Sequence, residues 1–236
     1  MLSVFDLLDA KTLDIELAAY LMARISRGAS FLVGAIPGGA GKTTVMCALL
    51  NFVPADIELI AAASNAVTSA ETAEQAGGKC YVCHEIGSGY YFAYLWDADL
   101  RRYCRLVDKG HMLATNLHAD TLQQAHAQIC GENGVPAEHF NRFELALFLT
   151  VEGGLFDACR QIGTVHSSDG RQPHELVYDR AAAVSRLSPT AAADEDYITA
   201  CRTFLETAWS QGIRTIQQTR QAVLEFFAGN QHPESL

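Results

Sequence analysis

The chain has 236 residues, long for one domain and barely enough for two, so a single enlarged domain with helical additions is the expectation. Its 17 basic and 27 acidic residues give a formal net charge of −10, which argues against a nucleic-acid coat; four lysines are too few for a polybasic membrane patch. An apolar fraction of 49% is ample for a core and excludes a disordered chain.

No uncharged stretch reaches the roughly 18–20 apolar residues of a spanning helix. The longest, Gly28 to Gly41, carries five glycines and a proline. Asp6 and Asp9 precede any basic residue and no apolar leader follows, so a secretory signal is not expected. Seven scattered cysteines then read as reduced, mostly buried thiols, and the expected compartment is the cytoplasm.

Apolar residues at Leu13, Leu17, Tyr20, Leu21 and Ile25 give Thr12 to Arg27 a helical spacing. Ser30 to Gly34 is a short apolar run followed by a glycine-rich stretch, and Lys42 to Phe52 reads as a helix stopped near Pro54. Strands are predicted at Ile57 to Ile60, Cys80 to Ile86 and His111 to Leu117, with helices at Tyr91 to Asp108 and Ala119 to Cys130. This alternation indicates an α/β domain with a mostly parallel sheet. After Pro136 the pattern changes: Phe143 to Val151, Leu155 to Val165 and Glu175 to Tyr178 are strand-like, separated by Gly153-Gly154 and Ser167 to Gly170, which are hairpin signals. Asp194 to Gln211 and Ile213 to Phe227 form a helical tail. The alanine runs at 61–63, 181–183 and 191–193 signal small-residue packing or helix. The expected divisions are a lead-in over 1–28, a core over 29–180 and a tail over 181–236.

The segment from Val33 to Thr44 follows a strand and opens a helix, the context phosphate chemistry wants. Gly38, Gly39, Ala40 and Gly41 can wrap an anion with inward N–H groups, and the helix N-terminus at Lys42, Thr43 and Thr44 adds partial positive charge. Lys42 would reach the β- and γ-phosphates and the Thr43 hydroxyl would ligate Mg²⁺. The strict pattern G-x-x-x-x-G-K-[ST] is broken at its first position, Ile36. ATP and Mg²⁺ are the expected ligands.

Such a site needs a carboxylate at a neighbouring strand end, to hold the metal or polarise water, and Glu85 closes the Tyr81 to Ile86 run. His118 ends the Gly110 to Asp120 segment and is a candidate contact to the terminal phosphate; a lone histidine is more often structural. Cys80, Cys83 and His84 match the haem c attachment spacing, but that chemistry follows export, and a zinc site would want a second cysteine pair. The aromatics from Tyr90 to Trp96 read as a helix packing on the sheet. Arg101, Arg102 and Arg105 are the best candidates for an arginine reaching a neighbour's phosphate.

Taken in order, the Gly-Lys-Thr-Thr loop, Glu85-Ile86 and Gly110-His111 to His118-Ala119 resemble the secretion ATPase superfamily, the motors of type II and type IV secretion, type IV pili and archaeal filaments, over roughly residues 12–180. The resemblance implies a RecA-like P-loop ATPase core with antiparallel C-terminal strands. It makes Glu85 the Walker B carboxylate, shared between catalysis and metal, and His118 the histidine-box residue. It further implies a homo-oligomeric ring of six, a secretion or pilus machine as partner, and a place at the inner face of the membrane. His84-Glu85-Ile86-Gly87 stands where the family has Gly-Glu-Ile-Arg, Ala61 to Asn65 stands where it has an acidic box, and only 28 residues of this sequence precede the expected core, where the family has a long N-terminal domain. These departures keep a second function open: a nucleotide-binding regulatory or structural relative with little hydrolysis.

Overall fold

The computed structural model describes residues 1–74, 77–89, 91–153, 158–182 and 194–230. Tyr90, Gly154, residues 155–157, and the alanines at 183 and 191–193 lie outside the described residues.

The elements run α1 (Val4–Asp9), α2 (Ile15–Ile25), β1 (Phe31–Gly34), α3 (Lys42–Leu49), β2 (Glu58–Ala61), α4 (Ser64–Thr72), β3 (Lys79–Ile86), β4 (Tyr94–Leu95) and α5 (Asp97–Arg105). They continue with β5 (Met112–Leu117), α6 (Leu122–His126), α7 (Ala137–Asn141), β6 (Leu145–Glu152), β7 (Cys159–Ser167), β8 (Glu175–Asp179), α8 (Glu195–Ser210) and α9 (Ile216–Gly229). The described strands form one sheet in the order β2-β3-β5-β1-β6-β7-β8, with β4 beside β3. β2, β3, β4, β5, β1 and β6 pair in parallel; β7 and β8 pair antiparallel. One strand, β5, therefore separates the strand feeding the glycine-rich loop from the strand that carries Glu85. This is a RecA-like α/β fold, and the antiparallel C-terminal strands fall where the sequence predicts them.

Central strands of such a sheet are covered on both faces, so they read as continuous apolar runs. Phe31, Val33, Leu145 and Leu147 point into a core shared with α2 and α3, while Leu32, Ala146 and Phe148 point into a second core under α5. The strand period of two thus sorts one short run into two layers. The first core also takes in Phe5 and Leu8 of α1 and Cys201, Leu205 and Val223 of α8 and α9. Asp14 caps α2 by accepting from Leu17 N at 2.9 Å, and the Tyr178 hydroxyl of β8 donates to Asp14 at 2.9 Å. On α9, Arg220 donates to Asn51 O at 2.8 Å and also reaches Val53 O, clamping the 3-10 turn that follows α3.

Three expectations need correction. The predicted helix from Tyr91 begins only at Asp97: Ala93 has a φ of 55°, outside right-handed helical space, and Tyr94–Leu95 pairs with Glu85–Ile86 instead. Tyr91 and Phe92 accordingly do not pack on the sheet; they are 71% and 74% exposed. The helix expected from Ala119 starts at Leu122 and passes into a π-helical turn over Ala127–Glu132, so Gly131 does not stop it.

Candidate phosphate-loop site

The loop between β1 and α3 needs left-handed backbone at two positions, and both are glycine: Gly39 at φ 75° and Gly41, the N-cap of α3, at φ 95°. Ile36 has no positive φ, so glycine is not required there. Its N–H donates to Asp120 Oδ1 at 2.6 Å and its side chain is half exposed. That accounts for the broken first position of the motif: the loop entry is held by a carboxylate rather than by glycine's freedom.

Lys42 is buried, and its Nζ donates to Ala35 O at 3.0 Å. The same Nζ lies 3.4 Å from His118 Nδ1 and 3.7 Å from Glu85 Oε1. His118 Nε2 is 3.9 Å from that carboxylate oxygen, and His118 is over half exposed. Lysine, glutamate and histidine from α3, β3 and the end of β5 thus converge on one point. Burial pushes the Glu85 carboxyl above its ordinary value, opposed by the charges of Lys42, His118 and His84. Its Oε1 is buried without a hydrogen-bond partner.

A bulge aims this carboxylate. Between β3 and β5 the register passes from Cys83↔Thr115 to Ile86↔Leu117, so β3 carries one extra residue there. The His84 carbonyl is met by a side chain, Asn116 Nδ2, at 2.9 Å. The same amide nitrogen lies 3.4 Å from Thr43 Oγ1, and Asn116 Oδ1 is a second buried acceptor without a partner. Thr43 itself is exposed. The Thr43 hydroxyl and the Glu85 carboxylate are hard oxygen donors, while the Asn116 amide turns its nitrogen toward Thr43. Mg²⁺ favours such oxygens, taking one or two protein ligands and completing its shell with water and phosphate oxygens. The residues fit the metal.

The remaining predicted residues divide. Gly38 and Gly39 are exposed and open to solvent, and Ala40 is buried. Thr44 lines a cavity together with Cys159 and Arg160 of β7. Arg101, Arg102 and Arg105 do not reach this site within the chain: Arg101 donates to Asn133 O, while Arg102 and Arg105 pair with Glu71 of α4. Cys80 and Cys83 point into opposite cores, their thiols pushed up to about 12 by burial, so they share no metal. Among the described residues no cluster of three His, Cys, Asp or Glu could hold a metal ion. No described helix is long and apolar enough to cross a membrane.

Asn116 and Arg160 were missed in the sequence. Asparagine is a poor strand residue, so its place in the apolar run Met112–Leu117 was a usable signal. Arg160 donates from Nε to Gly39 O at 2.8 Å, a contact across 121 residues that no local motif announces.

No known family matches the chain, and no curated protein matches it. Among solved structures it is similar to the VirB11 ATPase of the Brucella suis type IV secretion system, crystallised with sulphate, at 16% identity and a TM-score of 0.44. The match covers 62% of this chain and 50% of that one, so the chain spans about half the length of that structure.

Proposed function

We propose that this chain binds ATP with Mg²⁺ at the loop from Gly38 to Thr44 and hydrolyses it. The observation that carries the reading is Glu85: a buried carboxylate whose Oε1 accepts no hydrogen bond, with Lys42 at 3.7 Å and His118 at 3.9 Å. An unused buried acceptor is costly unless something binds it. Mg²⁺, when bound, neutralises charge on the phosphate oxygens. Lys42 would exchange Ala35 O for phosphate oxygens, Thr43 and Asn116 would orient around the metal, and Glu85 Oε1 would accept a hydrogen bond from the attacking water. His118, half in solvent beside both, would contact the terminal phosphate. We further propose a ring of chains as the working unit, coupled to a secretion or pilus-type machine, because the motif order resembles such motors.

One observation favours the second reading, a nucleotide-binding regulator: the basic groups bearing on Glu85 are Lys42 and two histidines, with no arginine among them. A neighbouring chain that supplied an arginine would restore the deficit, and such fingers are worth about 10³–10⁵ in rate. ATP binding and turnover, measured across protein concentration, separate the readings. Lys42→Ala is expected to lose ATP affinity. Glu85→Gln is expected to bind ATP but turn it over about 10²-fold or more slowly. Turnover per chain should rise with concentration as the ring forms. Wild-type protein that binds ATP but hydrolyses none at any concentration establishes the regulator; equal ATP affinity in Lys42→Ala sinks the site.

A further inference from the structure

On the side of the phosphate loop away from Glu85, a cavity of about 440 Å³ opens between α1, the start of α3 and the start of β7. That volume lies within the roughly 300–1,000 Å³ range of small-molecule sites. Its walls are largely apolar, from Leu2, Leu7, Ala10 and Val45, with Thr12, Thr44 and Arg160 as polar groups. Gly39, Ala40 and Gly41 form its inner edge, so the cavity and the loop are continuous.

Sheet order fixes its relation to the chemistry. Glu85 lies on β3, and Asn116 and His118 lie on or just beyond β5, all to one side of β1. Arg160 and Cys159 lie on β7, to the other side. Successive helix residues are turned by about 100°. Thr43 therefore faces Asn116 while Thr44 faces the cavity. A phosphate chain lying along the loop has its terminal group at Lys42 and its other end at Thr44. Whatever that end carries enters the cavity.

We infer that this cavity holds the base and sugar of the nucleotide, so that the chain's own N-terminal helix α1 forms one wall of the binding site. The inference rests on the phosphate-loop reading above. The apolar walls would take the faces of a flat base, an arrangement that removes apolar surface from water on both partners. Arg160 is anchored to the loop at Gly39 O, so its exposed guanidinium stands at the junction of loop and cavity, where the sugar and first phosphate pass.

Cys159 is an exposed free thiol on the cavity wall and makes the test direct. Cys159→Trp would fill the cavity from the first residue of β7, an exposed strand position that tolerates an aromatic. Binding of ATP and of inorganic tripolyphosphate is measured by calorimetry in both proteins with Mg²⁺. The expected result is an ATP affinity reduced by about tenfold or more in the variant, with tripolyphosphate affinity unchanged. In the unsubstituted protein, ATP should slow alkylation of Cys159, followed by peptide mass spectrometry, and tripolyphosphate should not. Equal loss of both ligands in the variant, loss of neither, or equal protection of Cys159 by both overturns the base pocket and leaves the phosphate loop standing. Binding of neither ligand by the unsubstituted protein overturns both.

Discussion

The amide of Asn116 is divided between structure and site. Its Nδ2 donates to the His84 carbonyl at the β3 bulge and lies 3.4 Å from Thr43 Oγ1, and the residue is fully buried. Asn116→Ala removes the side-chain hydrogen bond to that carbonyl, and an orphaned buried group costs about 1–3 kcal/mol. Loss of stability alone would mark Asn116 as a brace. Its place beside Thr43 predicts more: turnover should fall and the Mg²⁺ concentration for half-maximal rate should rise, even at a temperature where the variant is fully folded. An unchanged Mg²⁺ dependence would assign Asn116 to structure only. Lys42, Thr43 and Glu85 were legible because strand, glycine-rich turn and helix leave a local signature, and Glu85 closes an apolar run. Arg160 was not, because its contact to Gly39 depends on how β7 folds back across β6.

At the scale of elements, the sequence was readable where a segment's own period decides its structure. β1, β3, β5, β6 and α2 sit within a few residues of their predicted places for that reason. The segment Tyr91 to Trp96 was not readable: its helical spacing competes with the left-handed backbone at Ala93 and with the free edge that β3 offers after β2 ends at Ala61. Tertiary pairing won over propensity there. The end of β1 shows how tightly elements meet beside the loop. A Cβ on Gly34 would lie 2.5 Å from Ala119 O and 2.7 Å from Phe148 Cδ1. The first of these is backbone and cannot swing away. Gly34→Ala is therefore expected to destabilise the fold by about 1–3 kcal/mol, the usual cost of overpacking. Because Ala119 follows His118, it should also lower turnover beyond what the loss of folded protein explains. Chemical denaturation and turnover per folded chain check the two halves; full stability would mean that β6 and the β5–α6 turn yield more easily than their packing suggests.

For the whole molecule, acidity is the informative variable. Burial holds His111, His166 and His174 below the ordinary histidine value of 6.5. His111 Nδ1 and His166 Nδ1 are buried without partners, so a proton added there would create an N–H with no acceptor. The unfolded chain accepts those protons near 6.5 while the folded chain resists them. Their contribution is thus fully present above 6.5 and is lost as pH falls through the depressed folded values. Glu85 acts with the opposite sign: its folded carboxyl sits above 4.5, so protonation on acidification relieves an unfavourable buried charge and adds stability. Falling net charge from −10 also relieves self-repulsion, but those charges are spread over the surface and screened beyond about 8 Å at 0.15 M salt. Three wholly or partly buried histidines against one carboxylate should decide the balance. With nucleotide and Mg²⁺ withheld, in 0.15 M salt, Tm is expected to fall between pH 7.5 and 5.5, each lost kcal/mol lowering it by about 2–4 °C in a chain of this length. The His166→Gln, His174→Gln double variant, with no imidazole to protonate at those sites, should show a shallower fall. A Tm that holds or rises over that interval would show that charge relief and Glu85 outweigh the buried imidazoles.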